Sequence, residues 1–283
     1  MKCTTLIIAL LLGTTLSAQN DSAVAQQYNT ELTSPAVEAP QPVAATDNKM
    51  AAYRKNLVKI NVGSLLLFQN YNLTIERALT RKISASVGYR SLPRTEVSKM
   101  NAFKKVYDLT GSDAAGLEED WGGTMASSKA YTAEIRFYGG RKPGPRGFYL
   151  GLYGRYASFD VDYNYNYETN TTNYNIPISA TAKGIGGGLY IGVQWLIAKR
   201  VALDWQILGG HWGKLTGNGA GLANLSGLST DEQQDIQYDL EELIPTIGNK
   251  NPVAATVNNT GVQLKLDGPF AGLRSGISLG IAF

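Results

Sequence analysis

The sequence predicts an all-β fold: a transmembrane, antiparallel, up-and-down β-barrel of about eight strands, with one short helix in its last outer loop. Three observations predict it. First, the closing stretch Gly272–Phe283 alternates strictly. Leu273, Ser275, Ile277, Leu279, Ile281 and Phe283 fall on one face; Arg274, Gly276, Ser278, Gly280 and Ala282 fall on the other. An apolar strand with a free edge invites aggregation, whereas a last strand that pairs with the first leaves no edge. Second, the same period of two recurs in consecutive segments from Asn56 onward. Third, the connections between segments sort by length, short at one end and longer at the other, with the short tip after the first strand as the exception.

Composition agrees. Only 17% of residues are charged, while Gly (31) and Tyr (16) are abundant, which suits strands punctuated by glycine and flanked by aromatic belts. The formal charge of +3, with no basic cluster interleaved with aromatics, argues against a nucleic-acid partner.

In chain order, residues 1–18 read as a signal peptide. Lys2 supplies the charged start, Leu6–Leu12 the apolar core and Leu16-Ser17-Ala18 the small-residue cleavage site. The only cysteine, Cys3, precedes that core, which disfavours a lipoprotein and leaves the mature chain without thiols. Residues 19–52 are Ala, Gln, Thr, Ser and Pro rich and read as a disordered periplasmic arm. Asp21-Ser22-Ala23 has the form of a short O-glycosylation signal. The barrel is expected over 53–283.

Predicted strands follow at about Asn56–Leu66, Tyr71–Leu79, Ile83–Leu92, Ala130–Tyr138, Phe148 to past Tyr163, Ile176–Leu196, Val201–Trp212 and Gly272–Phe283. Thr80-Arg81-Lys82, Gly139–Gly147 and Ala198-Lys199-Arg200 are tight turns. The segments Pro93–Ser128 and Gly213–Pro269 are long outer loops. Within the second, Ser229 or Thr230 caps a helix running to Ile244 and ended by Pro245. Its apolar stripe is Ile236, Leu240, Leu243 and Ile244, which either packs on its own loop or docks a partner. Val253–Val257 and Val262–Leu266 form a small hairpin. A soluble lipocalin-type barrel would need more Lys and Glu on its non-oily face than the Gly and Ser found there.

The words Lys59-Ile60-Asn61, Ser64-Leu65-Leu66 and Ile75-Glu76-Arg77-Ala78-Leu79, and the segment Gly268–Gly276, carry a resemblance. Together with the acidic helix before that segment, they resemble a Bacteroidetes family of small outer-membrane barrels of unknown function. The resemblance covers about Asn56–Phe283. It implies an eight-stranded barrel with a loop-borne helix, and it brings no activity and no catalytic residue.

By the alternation, Lys59, Glu76, Arg90, Glu134, Arg136, Arg155, Asp204 and Arg274 face the lumen. A barrel of this size is filled by side chains, so these charges must pair. They form either a structural plug or a narrow ion path. Tyr71, Tyr89, Phe137, Phe148, Trp195, Trp205 and Phe283 are expected in belts at the headgroup level. His211, the only histidine, is placed at the outer rim beside Trp212. With no Gly-x-Ser-x-Gly elbow, it is weak support for a lipid A-modifying enzyme. Gly184–Gly188 opens a strand and is no phosphate loop. Asp160, Asp162 and Glu118-Glu119-Asp120 are candidate cation contacts. The expectation is a non-enzymatic protein of the cell outer membrane with no cofactor and no bound metal. Its partners would be membrane lipid, lipopolysaccharide and other outer-membrane proteins, reached through the long loops.

Overall fold

The computed structural model describes residues 53–110, 121–169, 171–198, 200–244 and 251–283. The segments expected as signal peptide (1–18) and arm (19–52, with Ser22), and Glu118-Glu119-Asp120, lie outside these residues. The chain forms β1 (Asn56–Asn61), α1 (Val62–Phe68), β2 (Tyr71–Ala78), β3 (Ile83–Glu96), a 3-10 turn (Val97–Lys99), α2 (Asn101–Thr110) and β4 (Met125–Tyr138). It continues with β5 (Gly147–Glu168), β6 (Asn173–Ile197), β7 (Val201–Leu222), α3 (Thr230–Glu241), β8 (Val253–Asn258), β9 (Gly261–Pro269) and β10 (Gly272–Ala282).

Consecutive strands pair antiparallel from β1 to β7. Strand β10 closes the ring by pairing with both β7 and β1, giving a closed eight-stranded barrel. The terminal strand therefore has no free edge: Leu279 is in register with Ile60 on one side and Leu203 on the other. The hairpin β8–β9 is added outside the ring along the far half of β7, from Lys214↔Pro269 to Leu222↔Gly261.

Strand β1 is shorter than the alternation predicts, because the chain leaves the sheet at Asn61. The Asn61 side chain accepts a hydrogen bond from Ser64 N (2.8 Å) and caps α1. The uninterrupted run Leu65-Leu66-Leu67-Phe68 does not alternate, and the helix absorbs it. Strand β7 departs in the other direction. Gly213–Leu222, expected as loop, continues the strand, paired with β6 and β9. A bulge at Ile207 interrupts its alternation, opposite Ile191/Gly192 on β6 and Arg274/Gly276 on β10.

The strands of the far half keep their pairing but exchange the polarity of their two faces. On the lower part of β6 the outer face carries Ile185, Leu189, Ile191 and Trp195, all exposed. Farther up the same face carries Lys183, Thr181, Ser179 and Asn175. On the inner face the order is reversed. Gln194 lies low, and Ile178 and Ile176 lie high in a core with Leu225, Ile236 and Leu240. The exchange falls at one level around this side of the ring. That level is marked outside by Tyr89, Tyr131 and Tyr156 in register on β3, β4 and β5, and by Trp212 on β7. The belt residues named from the sequence all lie on the outer face, exposed.

Helix α3 caps the upper core. Ser229 and Glu232 form a reciprocal capping box, and Ile236 and Leu240 are fully buried. Leu243 and Ile244 pack beside them. Two members of the stripe, Ile236 and Leu240, are thus taken up by internal packing of the loop, while Leu243 and Ile244 are only partly buried. Tyr165 anchors the helix by donating to Asp239 Oδ2 (2.7 Å), and burial pushes its hydroxyl well above the usual tyrosine range, so it remains a donor.

Candidate functional site

The lumen up to the level of the outer tyrosines holds the charged side chains expected from the sequence, and the structure divides them into two groups. The lower group is a closed network. Lys59 Nζ donates to Glu76 Oε2 (2.6 Å), Asp204 Oδ2 (2.6 Å) and Gln194 Oε1 (2.8 Å). Arg136 lies between the strands' carboxylates, with Nη1 to Asp204 Oδ2 at 2.7 Å and Nη2 to Glu134 Oε2 at 2.8 Å. Arg274 pairs with the other oxygen of Glu134 and donates from Nε to Gln206 Oε1 (3.0 Å).

Tyrosines complete the shell. Tyr138 donates to Glu76 Oε1 (2.6 Å), Tyr149 to Asp204 Oδ1 (2.6 Å) and Tyr190 to Glu134 Oε2 (2.5 Å). The Arg136 guanidinium sits over the Tyr149 ring (4.8 Å), and Arg274 over the rings of Tyr153 (4.8 Å) and Tyr190 (4.7 Å). Lys59, Arg136 and Arg274 balance Glu76, Glu134 and Asp204, so the network is neutral. Every carboxylate receives several donors, which is the condition for holding such charges out of water. Glycine makes room for the large rings: a Cβ at Gly151 would collide with Tyr190, and one at Gly192 with Tyr149. These tyrosines were not singled out from the sequence. Their signal was present, since they fall on the inward parity of β4, β5 and β6.

The upper group is different. Arg90 and Arg155 make no ion pair among the described residues, and the Nε of each is buried without a hydrogen-bond partner. Both line a cavity of about 350 Å³ above the network. The structure thus brings six of the eight predicted charges into one network and leaves Arg90 and Arg155 outside it. His211 also departs from expectation. It lies in the lumen, 5% exposed, not at the rim. The bulge at Ile207 shifts the parity of upper β7 and turns it inward. Its Nδ1 is 3.2 Å from the Tyr153 hydroxyl, its ring packs on Phe270 (4.7 Å), and its Nε2 is buried with no hydrogen-bond partner among the described residues. Asp162 is taken up by Arg94 (2.7 Å) and Ser179 (2.6 Å), and Asp160 by Ser127 (3.3 Å). Gly184–Gly188 lies within β6, paired on both sides.

The fold and the lumen define the class, a closed eight-stranded antiparallel barrel with an ion-paired interior. In comparisons with known proteins the chain matches no family model, no curated protein and no solved structure.

Proposed function

We propose that this chain is a non-enzymatic barrel of the cell outer membrane. It is closed to ion flow at its lower end and presents a rigid platform on the outer side. The observation that carries this reading is the exchange of face polarity along single strands. Below the tyrosine level aliphatic side chains point outward and charges inward; above it the order reverses. Side chains distribute this way when the medium outside the wall changes from acyl chain to water at that level. The outer apolar run of β6 has the right height. From Ile185 to Trp195 it rises about 34 Å along the strand, or about 26 Å for a strand tilted by ~40°.

The closed lumen is supported by the Lys59–Glu76–Arg136–Asp204 network, whose members are all essentially inaccessible. A conducting path would have to separate those pairs at a cost of several kcal/mol. The platform is the part of β5, β6 and β7 above the tyrosine level, extended by β8–β9 and covered by α3. Its polar outer surface is the part available to lipopolysaccharide and to other outer-membrane proteins. A rigid scaffold of this kind commonly carries recognition.

Detergent dependence and conductance test the reading together. The purified chain should need detergent, migrate faster on a gel before heating than after, and be electrically silent in planar bilayers. Solubility in plain buffer, or a single-cysteine label at Leu279 reporting water, would end it.

A further inference from the structure

The cavity above the network contains charge that no described residue answers. Arg155 is 9% exposed and Arg90 is buried at its Nε, yet neither guanidinium meets a carboxylate among the described residues. They stand close enough to each other and to Arg274 for mutual repulsion. Glu134 also lines the cavity, but both of its oxygens are already engaged by Arg136, Arg274, Ser86 and Tyr190. Among the described residues, a neutral lower network and two extra cations leave a local excess of two positive charges facing the cavity. Keeping such charges buried is costly unless an anion answers them.

The wall beside this cavity is incomplete. Strand β1 pairs with β10 only up to Asn61↔Ser278 and with β2 only up to Ile60↔Leu73. Beyond those points Gly272–Ile277 of β10 has no strand neighbour on the β1 side, and α1 occupies the gap. Leu273, Ile277 and Trp205, whose side chains belong to the exposed outer face, also line the cavity, together with Gly63, Ser64 and Leu67 of α1. The cavity therefore reaches the outer surface between α1 and β10. The height is set by register: Tyr89↔Tyr131 and Tyr131↔Tyr156 place Arg90 and Arg155, each one residue away, at the level of the upper tyrosine girdle. In a membrane barrel that is where lipid headgroups lie.

We propose that Arg90 and Arg155 form a binding site for a phosphate monoester, filled from the side by the headgroup of a phosphorylated amphiphile that passes between α1 and β10. A phosphate monoester carries about −1.5 to −2 charges at neutral pH, which matches the excess. Its oxygens accept paired N–H donors from guanidinium groups better than from any other side chain. A volume of about 350 Å³ falls within the range of small-ligand pockets. The apolar part of the ligand would rest outside, on Leu66, Leu273 and Ile277, which are exposed on the two sides of the gap.

Only the lipid as the source of the phosphate rests on the membrane reading; the phosphate site itself does not. The test uses the full chain in a zwitterionic detergent. Its probes are short-chain phosphatidic acid, the matching diacylglycerol, a fatty carboxylate of the same length and inorganic phosphate. Phosphatidic acid is expected to bind saturably at one per chain, and diacylglycerol not at all. Arg155→Gln and Arg90→Gln should each weaken binding by about tenfold or more (~1.4 kcal/mol). Inorganic phosphate binding as tightly as the lipid would keep the site but overturn lateral entry. If the chain proves soluble without detergent, the inorganic phosphate arm is run in buffer and still tests the two arginines.

A folding defect in the arginine variants is bypassed by Thr132→Glu. Thr132 is in register with Arg155 on β5 and lines the same cavity, so a carboxylate there supplies the missing counter-charge. That variant should unfold no earlier than the parent and should lose phosphate binding. Unchanged binding in it, equal binding of the fatty carboxylate, or no binding of any phosphate probe overturns the assignment.

Discussion

Two regions of this molecule use the same strands for opposite purposes. Along β5, β6 and β7 the ladder of backbone hydrogen bonds runs unbroken from the lower turns to the outer tips, apart from the bulge at Ile207. In the lower region the inside is an ion-paired lumen and the outside is aliphatic. In the upper region the inside is a hydrophobic core closed by α3, Val253 and Leu264, and the outside is Ser, Thr, Asn and Asp. Alternation fixes only which side chains share a face. Which face is apolar is decided by what surrounds the wall. The two regions also differ in what holds them together. The lower one depends on the paired charges of the Lys59–Glu76–Glu134–Arg136–Asp204–Arg274 network, the upper one on apolar burial.

The strongest way to probe this contrast is to break each region by its own mechanism. Arg136→Met removes the cation that Glu134 and Asp204 share and leaves two buried carboxylates short of a partner. The expected loss is about 3–5 kcal/mol, read as a lower unfolding midpoint in detergent. Ile236→Ala opens a cavity in the upper core and should cost about 2–5 kcal/mol. That loss is expected to appear as early proteolysis of α3 and the β8–β9 hairpin, while the lower ring keeps its heat-dependent gel mobility. If Ile236→Ala instead unfolds the whole chain in one step, the two regions are not separable units.

A paired substitution on one strand tests the proposed change of medium directly. Leu189 and Thr181 both lie on the outer face of β6, on opposite sides of the tyrosine level. On the proposed membrane reading, Leu189→Arg should destabilise by about 2–4 kcal/mol, the depth-dependent cost of a cation in acyl chains. Thr181→Arg should change stability by no more than about 0.5 kcal/mol, as for an ordinary surface position. Equal effects at the two sites would remove the boundary between them.

The wall of the barrel was legible in the sequence because its signal is local: a period of two needs no knowledge of distant residues. The closing strand, the short turns, the α3 cap and all eight lumen charges were readable on that basis. Other features depend on non-local contacts and were not. Val62–Phe68 contains enough apolar residues to extend β1, and only the cap from Asn61 to Ser64 N turns the chain out of the sheet. Gly213–Leu222 is rich in glycine and polar residues and reads as loop. It is strand because β6 and β9 supply ladders on both sides. His211 reads as a rim residue because the sequence ends that strand at Trp212; β7 runs on to Leu222, and the bulge at Ile207, which leaves no trace in composition, turns His211 inward. The division of the charges into a neutral plug and an unpaired arginine pair could not be read from parity alone, since parity places all eight inside and pairing is set by their heights on different strands.

The smallest expected effect concerns the start of α3. Ser229 Oγ accepts from Glu232 N (3.3 Å), while the Glu232 carboxylate accepts from Ser229 N (2.8 Å). That backbone hydrogen bond, with help from the Ser229 hydroxyl, lowers the pKa of Glu232 below its usual range. Because the folded value is depressed, the contribution is fully present above the ordinary glutamate range and is lost as pH falls through the folded value. Loss of the N-cap acceptor in Ser229→Ala should lower the stability of the upper region by about 1 kcal/mol at neutral pH. The difference from the parent should shrink as acid protonates Glu232 in both proteins. Amide hydrogen exchange in α3 reads this locally. Protection should fall there and stay unchanged in β1, β2 and β10, whose stability rests on the lumen network. A loss of protection that reached those strands would mean that the upper core props up the ring below, and the contrast between the two regions would have to be redrawn as a single cooperative unit.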